Sequence, residues 1–176
     1  VTSCMMISNG MIPFDLEDIR NHESIYQDYT NLSLIHMGAR LPEFSPETAA
    51  EVIYRASKKV DFLLYEYFLT DLYGHRKSVP ECTKLVSNLN RLVKHLIGQM
   101  NRKTDSLLLC SDHGNIEFPP SKTHTQNPVP LICWGKGSDF LQGQINDLSD
   151  ITPAIYSHFN QTIQTSKLDS PPSVQG

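Results

Sequence analysis

Three short runs, at 62–69, 106–111 and 129–134, are apolar at nearly every position, and each gives way to a polar cluster. A strand wetted on one face alternates apolar with polar residues, so unbroken runs predict strands covered on both faces. Helix signals lie between and around them. Ser45, Pro46 and Glu47 supply a cap, a proline at the first helical position and an acid in the first turn. Ala49, Val52, Ile53 and Ala56 then share one face, predicting a helix to about Lys59. Ser78 and Glu81 have capping-box spacing, and Leu85, Leu89, Leu92, Val93 and Leu96 recur at helical intervals, predicting a helix over 79–101. Leu148, Ile151, Ile155 and Phe159 place a last helix at 147–159. Covered strands separated by amphipathic helices specify an α/β domain with a sheet sandwiched between helices, whose sites gather at the C-terminal ends of strands.

With 176 residues, 39% of them hydrophobic, the chain has material for one domain with a substantial core. The net charge is −4 and the Lys and Arg residues are scattered, which argues against nucleic acid as a partner. No run approaches the roughly 20 apolar residues of a membrane span, and the start lacks a signal-peptide pattern, so a soluble cytoplasmic protein without a membrane partner is expected. Cys4, Cys82, Cys110 and Cys133 form no Cys-x-x-Cys pair, and Cys110 and Cys133 fall in the apolar runs. Reduced, buried structural thiols are expected. The first fifty residues are turn-rich, residues 2–8 read as a strand or strand end, and the polar stretch 165–176 reads as a disordered tail after a domain at 1–164. Because the chain opens on Val1, with no initiating Met, directly in that strand-like run, it is expected to be a piece of something longer.

The polar clusters carry the chemistry. Asp71 and His75 flank a turn containing Gly74, a spacing that lets a carboxylate and an imidazole converge on one cation, although a cap and a surface histidine give the same pattern. Asp112 and His113 leave the second run directly. Adjacent side chains at a strand end point apart unless the backbone bends, which Gly114 permits; an Asx-type turn is the simpler reading. His124, in a polar loop before the third run, reads by itself as a surface residue. Taken together, the three clusters sit where successive strands begin or end around one crevice.

Thr-Asp-Leu-Tyr-Gly-His at 70–75, Ser-Asp-His-Gly-Asn-Ile-Glu at 111–117 and Thr-His-Thr-Gln-Asn-Pro-Val-Pro at 123–130 resemble the alkaline phosphatase superfamily, in particular the branch of cofactor-independent phosphoglycerate mutase and phosphopentomutase. Leu-Ser-Asp-Ile-Thr-Pro at 148–153 resembles the segment that follows in that branch, so the likeness covers about 61–160. Residues 26–31 and 61–66 resemble a group of metalloenzyme-domain proteins in the same superfamily.

The resemblance implies a three-layer α/β/α fold with a mostly parallel sheet, incomplete here at its N-terminus. It implies that Asp71, His75 and His124 hold one divalent metal and Asp112 and His113 a second, with Mn or Zn foremost and Mg the further option. Two ligands do not complete the second site, and two aspartates leave a +4 metal pair short of negative charge. In the family an N-terminal strand adds a metal-binding Asp and a Ser or Thr that accepts the phosphoryl group; neither motif is recognisable here, so the nucleophile is expected upstream. Thr70, Ser111, Thr123 and Thr125 adjoin ligands and are read as hydrogen-bonding neighbours, Asn115 and Glu117 as loop-ordering residues, Lys122 as a phosphate contact, and His22, His36, His95 and His158 as structural or solvated. The implied function is phosphoryl transfer on a small phosphorylated metabolite by a phosphomutase or phosphatase-like enzyme. A phosphodiesterase or sulfatase-like hydrolase and a non-catalytic α/β module are the alternatives.

Overall fold

The computed structural model describes Ser8, residues 10–121 and residues 123–168, with side chains as far as Gln161. Cys4, Lys122, all but Ser8 of the strand expected at 2–8, and residues 169–176 lie outside the described residues. The chain forms two compact units, Val1–Met100 with Asn115–His124, and Asn101–Gly114 with Thr125–Gly176.

The first unit is helical. Helix α1 (Leu16–Arg20) is capped by Asp15, and α2 (Leu32–His36) follows a loop in which the buried Asp28 carboxylate accepts from the backbone N–H of Asn31 at 2.9 Å and Ser33 at 2.8 Å. Helix α3 (Pro46–Ser57) begins as its sequence dictates, with Ser45 Oγ accepting from the Thr48 N–H at 3.1 Å. Helix α4 is Leu69–Arg76, and α5 is Val79–Gln99, opened by the capping box of Ser78 and Glu81. Their hydrogen bonds to Glu81 hold its carboxyl low, at about 2. The core of this unit forms where α3 lies on α5: Ala49, Ala50, Val52 and Ile53 are buried on one helix, and Cys82, Leu85, Leu92 and Leu96 on the other. Ile19 and Phe44 extend it beneath the early loops.

The expected strand at 62–69 does not form. Residues 62–68 run without regular structure into α4, and Phe62, Leu64 and Phe68 are exposed. A strand needs a neighbour for its backbone N–H and C=O groups, whereas this segment is held by its tyrosines. Tyr65 Oη donates to the carbonyls of Tyr26 at 3.2 Å and Gln27 at 3.0 Å, and the Tyr67 ring stacks on Tyr29 with centroids 5.7 Å apart. Burial pushes the Tyr65 and Tyr67 hydroxyls well above the usual phenol range. Aromatic, apolar composition was read as strand; it is instead the packing surface of an extended coil.

The second unit contains β1 (Ser106–Cys110) and β2 (Leu131–Gly135), in register from Ser106 opposite Gly135 to Cys110 opposite Leu131. They pair antiparallel, which corrects the mostly parallel arrangement for these two strands. Among its described residues the intervening chain carries a single 3-10 turn, Pro119–Ser121, and no crossover helix to return it to the end from which β1 started. Helix α6 (Ser138–Gln144) and helix α7 (Ile151–Leu168), the latter introduced by a 3-10 turn at Leu148–Asp150, follow. Leu141, Ile145 and Ala154 are buried against Leu108, Leu131 and Cys133 of one sheet face. Helix α7 continues beyond Thr165, where the tail was expected to begin. Cys82, Cys110 and Cys133 are free thiols, but only Cys82 is buried. Cys110 is exposed at the end of its strand.

Candidate metal centre

Asp71 and His75 lie one turn apart on α4, and a spacing of four residues puts both side chains on one face of a helix. The expected turn around Gly74 is therefore helical. His75 Nε2 stands 3.2 Å from Asp71 Oδ1. His124, from the loop after the 3-10 turn, brings its own Nε2 to 3.2 Å from the same oxygen, and the two imidazole rings face each other with centroids 5.0 Å apart. The three side chains are 43%, 33% and 52% exposed for Asp71, His75 and His124, so the cluster opens to solvent.

A fourth residue, Asn115, reaches the same oxygen. Its Nδ2 donates to Asp71 Oδ1 at 2.7 Å and to the Asp71 backbone carbonyl at 3.3 Å, and the residue is 4% exposed. Its backbone also orders the loop: the N–H donates to Glu117 Oε2 at 2.6 Å, and the carbonyl accepts from Phe118 at 3.1 Å. Gly74 makes room for it, since a Cβ at that position would collide with the Asn115 side-chain oxygen. A mid-helix glycine costs about 1 kcal/mol relative to alanine, and this contact is the reason one is present. The loop-ordering role of Asn115 and Glu117 was legible in the sequence. The grip of Asn115 on Asp71 was not, because the two are 44 positions apart and no local periodicity links them.

In the second unit, the backbone bends at Asp112 and His113 as they leave β1, and the adjacent side chains turn toward each other, with Nε2 of His113 3.6 Å from Oδ2 of Asp112. Ser111 Oγ donates to the His113 carbonyl at 2.9 Å, and an isolated bridge joins Gly114 to Thr125. Among the hydroxyls beside these residues, that of Thr70 donates to the Tyr67 carbonyl at 3.5 Å and that of Thr125 accepts from the Asn127 N–H at 3.4 Å. Of the histidines read as structural, His95 lies 3.6 Å from Glu51, His22 packs on Phe44, and His158 lies 3.3 Å from Ser106 Oγ.

Carboxylate and imidazole are donors of the kinds that bind divalent cations. Ligand atoms held about 2.0–2.2 Å from a tetrahedral ion stand roughly 3.3–3.6 Å apart, and the two nitrogen-to-oxygen separations here are each 3.2 Å. Two imidazoles and one carboxylate leave a coordination position for a further group, as catalytic sites do.

The model of the Metalloenzyme superfamily matches residues 38–162. The chain belongs to this superfamily. The matched span of the Metalloenzyme-superfamily chain contains Asp71, His75, Asp112, His113, Asn115 and His124, and membership implies divalent-metal binding. Similar curated proteins are 2,3-bisphosphoglycerate-independent phosphoglycerate mutases. That of Rhodopseudomonas palustris is 29% identical over 115 residues, 61% of this chain and 22% of the relative. That of Mycoplasma genitalium is 28% identical over 125 residues, 68% of this chain and 24% of the relative. That of Clostridioides difficile is 30% identical over 128 residues, 67% and 23% respectively. The chain thus spans about a quarter of the length of the relatives it matches. No solved structure matches it. Among the described residues, no helix is long and apolar enough to cross a membrane.

Proposed function

We propose that this superfamily chain is the metal-holding portion of a two-metal phosphoryl-transfer enzyme of the phosphomutase type, acting on a small phosphorylated metabolite. The observation that carries the reading is the sharing of Asp71 Oδ1 by His75 and His124, each with Nε2 3.2 Å away. In this reading Asp71, His75 and His124 hold one divalent ion, Mn or Zn in preference to Mg, and Asp112 and His113 contribute to the site of a second. The three-layer α/β/α sheet is completed by protein outside the described residues.

When bound, such ions supply Lewis-acid neutralisation of phosphoryl oxygens and favour the ionised form of an attacking hydroxyl. The chain's own residues bind and orient. His75 and His124 present Nε2 to one oxygen of Asp71, Asp71 brings a carboxylate to the cluster, and the exposed side of the cluster admits the phosphate. The hydroxyls of Thr70, Ser111 and Thr125 are engaged in local hydrogen bonds, and because the family's nucleophile motif is not recognisable in the sequence the phosphoryl acceptor is assigned to a Ser or Thr upstream.

Elemental analysis and phosphoryl-transfer assays on the complete protein test the proposal. Two equivalents of Mn or Zn are expected, one of them lost on His124→Ala, with isomerisation of a phosphorylated sugar acid or sugar above simple monoester hydrolysis. Metal-free protein, or a rate unaffected by Asp112→Ala, would sink it.

A further inference from the structure

Asn115 presents a contradiction as a purely structural residue. It is 4% exposed, and its Oδ1 is buried without a hydrogen-bond partner while facing the Gly74 backbone. A buried carbonyl left unpaired is unfavourable. The oxygen end of the amide therefore does not account for an asparagine here. The other end of the group does: Nδ2 donates to Asp71 twice, to Oδ1 at 2.7 Å and to the main-chain carbonyl at 3.3 Å.

Two bonds from one nitrogen to one residue fix both where the Asp71 backbone lies and how its carboxylate is rotated. The oxygen so held is the one that His75 and His124 approach to 3.2 Å. Asn115 is itself fixed from behind by the bond from its N–H to Glu117 at 2.6 Å. We infer that Asn115 is a positioning residue, whose amide aims Asp71 Oδ1 at the point where His75 and His124 converge and so preorganises that cluster for a divalent cation. The inference rests on the metal-holding reading of the three side chains. Groups that hydrogen-bond to ligating carboxylates orient them, and their loss lowers metal affinity about 10–100-fold.

The test is Co²⁺ titration of the whole 176-residue chain, read by its d–d absorption beside thermal melting of the metal-free protein. Asn115→Leu, which keeps the shape and removes both polar ends, is compared with Asn115→Ala, His124→Ala and the unaltered chain. The expected result is a melting temperature for Asn115→Leu little changed from that of the unaltered chain, since the unpaired Oδ1 is removed together with the bonds to Asp71, with an affinity for Co²⁺ about 10–100-fold lower and a changed absorption band. If Asn115→Leu does not fold, the affinity and band of Asn115→Ala decide. Wild-type affinity and spectrum in the Asn115 variants, with binding lost in His124→Ala, would overturn the positioning role and leave the metal reading standing. Parallel loss of stability and affinity in both Asn115 variants would overturn it as well, making Asn115 structural. Equal Co²⁺ binding by the unaltered chain and His124→Ala would remove the metal reading and this inference with it.

Discussion

Gly74 packs so closely against the side chain of Asn115 that a β-carbon on Gly74 would occupy the space of the amide oxygen. Helix α4 is therefore built around the loop that follows β1, and its glycine is a packing requirement.

Gly74→Ala tests this by the sign of its effect. Helix propensity favours alanine by about 1 kcal/mol, whereas forcing extra volume into a filled site costs about 1–3 kcal/mol. The clash is expected to win, giving a net loss of stability in urea denaturation. Adding Asn115→Ala to Gly74→Ala should recover part of that loss, a non-additivity expected only of residues in contact. Stabilisation by Gly74→Ala alone would mean that the contact yields freely.

Metal binding should raise the stability of the chain by linkage, about 2.7 kcal/mol when the free ion is at a hundred times its dissociation constant. Melting with and without Zn²⁺ or Mn²⁺, followed by chelator, measures it. His75→Ala and His124→Ala should each abolish the increment while leaving the metal-free melting temperature nearly unchanged, because both side chains are partly exposed. An increment that survives both substitutions would place the ion elsewhere.

On α5, neighbouring positions should differ sharply. Leu92 is buried at 3% exposure between α5 and α3, and Leu92→Ala is expected to cost about 2–5 kcal/mol through lost burial and the cavity left behind. Arg91 makes two 3.0 Å bonds to Glu47, but that pair is solvent-exposed, so Arg91→Ala should cost no more than about 1 kcal/mol. Chemical denaturation of the two variants makes the comparison. Equal losses would mean that the Glu47 pair carries as much of the α3–α5 packing as the leucine.

His158 sets a pH dependence in the second unit. Burial, with the Lys136 charge adding to it, lowers its pKa below the usual histidine value near 6.5. The unfolded chain then binds the proton more readily than the folded one, so the stabilisation is complete above about pH 6.5 and is lost as pH falls through the folded pKa. Ring proton shifts of His158 should titrate below those of a model peptide. His158→Phe should flatten the acid side of the stability curve for this unit. An unshifted ring titration would contradict the burial of the imidazole between Phe140 and Ser106.

Local signals determined a good deal from the sequence alone. The caps at Ser45 and Ser78 act over three residues, so α3 and α5 begin where the sequence says, and the apolar periodicity of α5 selects its buried face. The Asp-His pairs could be read for a related reason: Asp71 and His75 are one helical turn apart, and Asp112 and His113 are neighbours. Tertiary structure decided whatever depends on partners distant in the chain. Residues 62–68 are apolar enough for a strand, but a strand exists only beside another, and the tyrosines of this segment found the loop at 26–29 instead. The direction of β2 followed from the lack of a crossover helix, not from its own composition. His124 and Asn115 acquire their meaning only by reaching one oxygen of Asp71 from 53 and 44 positions away. The sequence by itself determined which residue types are available to hold a cation; only folding determined that three donors and an amide converge on one point, because convergence is a property of distances that no local spacing encodes.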